Sequence, residues 1–279
     1  MDKPVDIAFI GAGKVGCSLA RYLACDGGVR LAGFFSRSAE HAREAAAFAG
    51  GVAFDSLGAA VAASDVVFVT TPDSAIAGVG RELARPGSGS LAGKIVAHCS
   101  GATPSSALEA CRDAGASICS CHPLYAVSSR FDSWRELSDC TFAIEGDERA
   151  RDVVGGMVRA RGNEVVAIDG TQKARYHAAA VMASNLVVSL FDMAADELVT
   201  CGFTRDGAER ALAPLFLGNA NHVAADGAEA SLTGPAARGD EATISRHLAC
   251  LEGDTRDVYE LLTQRCREIA ARRSDGDGR

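Results

Sequence analysis

Residues 5–16 read Val5-Asp6-Ile7-Ala8-Phe9-Ile10-Gly11-Ala12-Gly13-Lys14-Val15-Gly16. The first six predict a strand, and a helix is expected from Lys14 to about Ala24, so a G-x-G-x-x-G turn joins the two. The motif alone is weak evidence, because glycine makes up 30 of the 279 residues. Its position between an apolar strand and a helix is what points to a dinucleotide. Gly11 permits the tight turn, Gly13 lets backbone approach a pyrophosphate, and Gly16 lets the helix pack against the strand. Ala12, Lys14 and Val15 complete the loop, and the free N–H groups at the helix start are the expected phosphate ligands. The alternative is a glycine turn that binds nothing.

Outward from this turn, short apolar runs alternate with amphipathic stretches. Further strands are predicted at Val29–Phe35, Asp65–Thr70, Lys94–His98, Ser117–Ser120, Thr141–Ile144 and Glu164–Ile168. Helices are predicted at Ala39–Phe48, Ser74–Leu83 and Pro104–Ala114, the last with Thr103 as cap and Pro104 in its first position. Within Asp65–Thr70 the run Val-Val-Phe-Val is continuously apolar, as a parallel strand covered on both faces must be. This order predicts a doubly wound α/β sheet with right-handed crossovers. After Ile168 the strand signals stop. Gln172–Thr200 reads as one long helix, followed by helices at Arg205–Leu217, Asp240–Ala249 and Thr255–Ala271. The expected organisation is therefore an α/β dinucleotide-binding domain over 1–169, an all-helical domain over 170–273 and a disordered tail over 274–279. From Ala178 to Phe191 the long helix is apolar on nearly every face, so it must be covered between domains or between subunits.

The net charge of −8 does not favour nucleic acid. No apolar stretch is read as long enough to span a bilayer, and the apolar N-terminal run leads directly into the glycine turn rather than a cleavage site. We therefore expect a cytoplasmic protein that does not bind membranes. The ten cysteines are scattered and read as reduced thiols.

The end of the second predicted strand discriminates between cofactors. An Asp or Glu there would bind ribose hydroxyls, as in NAD sites. This chain has Ser36-Arg37-Ser38 instead, and an arginine between two hydroxyls suits a 2′-phosphate. NADP (NADPH) is thus the expected cofactor, with NAD possible and with Arg37 as a solvated turn residue the alternative. Thr71, Pro72 and Asp73 follow the next strand and should line the same crevice, although Asp73 also suits a helix cap. Ser100 follows the strand after that, where a nicotinamide is expected.

His122 ends the next strand and points at the same crevice, as a proton-transfer or substrate group or as a structural turn residue. Cys119, Cys121 and His122 lack the second ligand pair a zinc site needs, so no metal is expected. Lys173 and His177 are four apart and share one helix face. They make a candidate acid/base pair for a carbonyl receiving hydride, with solvated charge and core packing as the alternative. Asn185, Thr233 and Arg238 are candidate substrate contacts.

Taken together, GAGKVG, His98-Cys99-Ser100-Gly101, Cys121-His122-Pro123-Leu124, Lys173 to Asn185, and Leu232 to Asp240 make the chain resemble a bacterial family. That family joins an N-terminal Rossmann-like domain to a C-terminal domain of unknown function numbered 2520. The resemblance spans nearly the whole chain, and its last two segments are the specific ones. It places the chain among NADP-dependent oxidoreductases related to pyrroline-5-carboxylate reductase, ketopantoate reductase and 6-phosphogluconate dehydrogenase. Several of those relatives carry Lys-x-x-x-Asn on the first helix after the Rossmann domain. Here Lys173 keeps the lysine and His177 replaces the asparagine. Tyr125-Ala126-Val127 also stands where a Gln and a nearby Phe would be expected. The resemblance implies a homodimer through the helical domain, with a site between the domains for a small-molecule carbonyl or imine substrate. A cofactor-binding sensor without catalysis, or an enzyme using a deazaflavin beside NADP, are the alternatives.

Overall fold

The computed structural model describes residues 3–25 and 28–276. It divides into two compact units, Met1–Ser184 and Asn185–Arg279. The first holds an eight-stranded sheet in the order β3-β2-β1-β4-β5-β6-β7-β8. Its strands are β1 (Val5–Ile10), β2 (Val29–Phe35), β3 (Val52–Ala53), β4 (Val66–Val69), β5 (Ile95–His98), β6 (Ser117–Pro123), β7 (Phe142–Gly146) and β8 (Val165–Ala167). Helices α1 (Lys14–Leu23), α2 (Ala39–Ala49), α3 (Leu57–Ala62), α4 (Asp73–Leu83), α5 (Glu109–Asp113), α6 (Glu148–Ala160) and α7 (Lys173–Met182) complete the unit.

The sheet is mostly parallel and departs from the fully wound expectation at one edge. β7 runs antiparallel to β6, and β8 runs parallel to β7. The chain returns from β6 through residues 124–141 without a crossover helix, so the next strand must run in the opposite sense. Period-two alternation assigns the strand side chains to two cores. Ile7 and Phe9 of β1, with Val66 and Phe68 of β4, enter one cluster, while Ala8, Ile10, Val67 and Val69 enter the other. Phe9 stacks between Phe34 and Phe68 at centroid distances of 5.6 and 5.0 Å. With both faces covered, the C-terminal ends of β1, β2 and β4 are left to form a crevice.

The second unit is helical: α8 (Asn185–Thr200), α9 (Arg205–Ser231), α10 (Pro235–Arg238), α11 (Glu241–Cys250) and α12 (Gly253–Gly276). Arg205 ties α9 to α8 through Asp192 and Asp196. α9 passes through Pro214 and kinks at Gly227, whose φ is 79°.

Three expectations change here. The long helix predicted over Gln172–Thr200 is broken at Ala183–Ser184 into α7 and α8. The segment Gly170–Thr200 is long and apolar enough by composition to cross a membrane, contrary to the sequence estimate, with mean hydropathy 1.6 in its best window. That is weak evidence of a span. The same segment is exposed in the single chain, Val188 at 69% and Met182 at 65%, and not covered as its apolar faces require. Of the tail expected over 274–279, residues up to Gly276 continue α12, and 277–279 lie outside the described residues.

Candidate functional site

Thr70, just beyond β4, closes the glycine turn by donating from Oγ1 to the Gly11 carbonyl at 2.9 Å. Gly11 has φ of 113°, and a Cβ there would lie 2.8 Å from the Thr70 backbone. At Gly16 a Cβ would lie 2.5 Å from the Gly11 carbonyl oxygen, so α1 packs on the turn only because that side chain is absent. A Cβ on Gly13 would meet nothing within 4 Å. Gly13 is the N-cap of α1, with no side-chain cap and no acidic residue in the first turn, which leaves its N–H groups and positive dipole end for an anion.

A cavity of about 370 Å³ opens beside this turn. Of the expected residues, Gly11, Ala12, Gly13, Ser36, Arg37, Thr71 and Pro72 form its wall. Ile10, Phe35, Leu57 and Val79 give it an apolar side, and His41 stands near Arg37. Lys14, Val15, Gly16, Ser38, Asp73 and Ser100 are not on the wall. Ser38 instead caps α2, its hydroxyl accepting the His41 N–H at 3.3 Å. Asp73 does not cap α4, whose N-cap is Pro72; its carboxylate accepts the Ser100 hydroxyl at 2.7 Å. Thr103 likewise caps nothing: the predicted helix at 104–114 begins as a 3₁₀ turn over Ser105–Leu108 with Pro104 as its N-cap. The Thr71 Oγ1 atom is buried at the cavity with no hydrogen-bond partner. An orphaned hydroxyl, an uncapped helix start and a glycine facing open space together fit a phosphate-bearing nucleotide.

Around the ends of β5 and β6 lies a buried polar network. Lys173, 1% exposed, donates from Nζ to the Ser100 carbonyl at 2.6 Å and to Ser120 Oγ at 2.5 Å. Burial lowers its pKa, opposed mainly by the Glu145 carboxylate. Glu145, also buried, accepts from the Ser105 N–H at 2.6 Å and the Ser105 hydroxyl at 2.7 Å. His98 is fully buried between the Ser100 N–H and the Pro104 carbonyl, which assigns it a neutral ring with the proton on Nε2.

His122 and His177 meet over Gly101. Their rings are 6.2 Å apart, and a Cβ on Gly101 would lie 2.5 Å from His177 Cδ2 and 2.9 Å from His122 Nε2. Tyr176 Oη is 2.8 Å from His122 Nδ1. Burial, aided by the Lys173 charge, pushes the His122 pKa down to about 4, and burial raises Tyr176 to about 12. Both groups are therefore neutral near pH 7, with Tyr176 donating to Nδ1 and the His122 proton on Nε2. Lys173, His177, His122 and Ser100 are thus brought together within the first unit. Asn185, Thr233 and Arg238 belong to the second unit, where Thr233 and Arg238 are exposed. Asp240 caps α11, its carboxylate accepting the Thr243 N–H at 3.1 Å. No group of His, Cys, Asp and Glu among the described residues has the arrangement of a metal site. Burial raises the pKa values of Cys99, Cys119, Cys121 and Cys140, which behave as small apolar core residues.

The sequence did not reveal Glu145, Ser105, Ser120, Tyr176 or His41. Glu145 lies within a strand and carries no motif. Tyr176 lies three residues after Lys173 and so could have been placed on the same helix face, a spacing that the i,i+4 pairing of Lys173 with His177 passed over.

A strand–glycine turn–helix unit with this cavity defines a dinucleotide-type α/β domain, here followed by a helical unit. Family models make the assignment specific: residues 2–123 match the Rossmann-like domain, and residues 140–266 match a domain of unknown function, DUF2520. The chain carries both domains. A Thermotoga maritima protein of known crystal structure is 27% identical, with a TM-score of 0.75 over 98% of this chain and 100% of that one. A Bacteroides fragilis protein provisionally named an NADP oxidoreductase is 25% identical, with a TM-score of 0.72 over 95% and 98%. A pyrroline-5-carboxylate reductase from Coxiella burnetii shares the fold at 15% identity, TM-score 0.64, over 97% and 99%. No curated protein matches the chain.

Proposed function

We propose that the chain is an NADP-dependent oxidoreductase acting on a small carbonyl or imine metabolite. The cavity between the glycine turn and the Ser36–Arg37–His41 corner, with the orphaned Thr71 hydroxyl on its wall, carries this reading. The name of the Bacteroides fragilis relative supports it. The α1 N-terminus and the Gly13 backbone hold the pyrophosphate, while Arg37 and Ser36 hold the 2′-phosphate by charge-assisted hydrogen bonds. The bound nucleotide supplies hydride chemistry.

This chain's side chains then handle position and protons. His122, neutral and fixed by Tyr176, presents Nε2–H beside Gly101 to a carbonyl oxygen or imine nitrogen. A neutral imidazole in this role polarises without adding a cation. His177 stands next to it and orients the same group. Lys173 contributes a buried positive charge beside Ser100 and Ser120, stabilising negative charge that develops at the substrate and holding His122 neutral. The test is consumption of NADPH with a panel of small keto acids, aldehydes and cyclic imines. Turnover of a panel member, reduced roughly 100-fold or more in His122→Ala, is the expected result. Cofactor binding without turnover of any member, together with a nucleotide-dependent change in partner binding, would favour the sensor instead.

We further propose a homodimer through the helical region. Met182, Leu186, Val188 and Leu190 form an exposed apolar run in a single chain, which a second copy would cover. Light scattering at micromolar concentration measures it.

A further inference from the structure

The connection between β6 and β7 folds back across the nucleotide half of the sheet. Arg130, at its tip, donates from Nε to the Ala12 carbonyl at 2.8 Å and from Nη2 to the His41 carbonyl at 2.8 Å. Its Nη1 pairs with Glu44 of α2 at 2.5 Å, and its side chain is only 21% exposed. The tip is itself ordered. The Ser18 hydroxyl donates to the Ser129 carbonyl at 3.4 Å, Ser129 N–H donates to Ser133 Oγ at 3.0 Å, and Phe131 packs on Phe48 with centroids 4.9 Å apart.

The two carbonyls that Arg130 holds belong to the two phosphate corners of the cavity. Ala12 lies inside the glycine turn, and His41 lies in the first turn of α2 beside Ser36 and Arg37. In a trans peptide the carbonyl and the following N–H point in opposite directions. Holding the Ala12 carbonyl therefore fixes the Gly13 N–H to face away from Arg130. A planar guanidinium with several donors is suited to bridging such acceptors at a fixed separation, which one ammonium does poorly.

We propose that Arg130 sets the distance between the pyrophosphate corner and the 2′-phosphate corner, so that the chain favours a nucleotide long enough to engage both. It is a positioning residue, because Nε, Nη1 and Nη2 each donate to a protein acceptor. This rests on the NADP reading of the same cavity. A ligand that spans two held subsites gains from their fixed spacing, whereas one that fills a single subsite does not.

Titration calorimetry of the full chain with NADPH and with 2′-AMP, which reaches only the adenosine corner, tests it. In Arg130→Ala, NADPH binding is expected to weaken roughly tenfold to hundredfold, while 2′-AMP changes by less than about threefold. Arg130→Lys should fall between wild type and Arg130→Ala for NADPH, and it decides the question if the alanine variant fails to fold. Weakening of both ligands by the same factor, or unchanged NADPH binding, overturns the proposal. A wild-type protein that binds neither ligand overturns the underlying NADP reading, and this role with it.

Discussion

The two units treat apolar side chains in opposite ways. The first buries Phe9, Phe34, Phe68 and Phe142 completely and puts its charges to use inside, Lys173 and Glu145 among them. In the second, Ala195, Ala208, Ile244 and Thr263 are the buried residues among those described, while Val188, Leu215, Leu217 and Leu261 stand in solvent. A sheet covered on both faces completes its core within one chain. A few helices without a shared core do not, and an exposed apolar surface of this kind marks an interaction site. The contrast separates a unit whose core is complete within itself from one whose apolar surface, in the proposed homodimer, a second copy would cover.

The largest expected effect falls on the second unit. Val188→Asp combined with Leu215→Asp should convert a dimer of twice 28.8 kDa into a monomer in light scattering. A buried unpaired carboxylate costs several kcal/mol, so dimer affinity should fall by about 1000-fold or more. A wild-type monomer, or a doubly substituted dimer, would break the contrast.

Next comes a pair of glycines in the first unit. Gly16→Ala forces a Cβ against the Gly11 carbonyl and should cost about 1–3 kcal/mol of stability in a urea melt. Gly13→Ala meets only open space, so stability should change by less than about 0.5 kcal/mol while NADPH binding is lost. Equal stability losses in the two variants would contradict the packing at Gly16.

A further effect is one of pH. Burial holds His98 and His122 down to about 4 from an ordinary 6.5. The unfolded chain therefore takes up protons first as pH falls below 6.5, and stability, complete above that value, declines toward pH 4. Each histidine contributes a slope of at most about 1.4 kcal/mol per pH unit. His98→Gln should flatten the decline in denaturant midpoints between pH 7 and 4 by about half. An unchanged slope would show that His98 is not held neutral.

The first unit was the more legible in sequence for the same reason that it is self-sufficient. β1 and β2 appear with the predicted limits, because each is a local apolar run with a turn at its end. β3 has only two residues, too few to show a period. The α6 helix, to which no predicted element corresponds, carries Gly155 and Gly156, residues that lower local helix propensity. The reversed direction of β7 follows from pairing with β6 and has no local signal. In the second unit the helix predicted to end at Leu217 runs to Ser231, through Gly218 and Asn219, residues that weaken local propensity without preventing a helix. Arg37 was found from its place after a strand. Arg130 was not, since it acts on Ala12 from 118 positions away within an irregular connection.

The most direct measurement is a calorimetric titration of the wild-type chain with NADPH and, separately, with NADH. The arrangement of Ser36, Arg37 and His41 at one end of the cavity predicts tighter NADPH binding by roughly tenfold to hundredfold, with the preference removed in Arg37→Ala. Equal binding of the two nucleotides would remove Arg37 from the site, and binding of neither would contradict the assignment of the cavity to a dinucleotide.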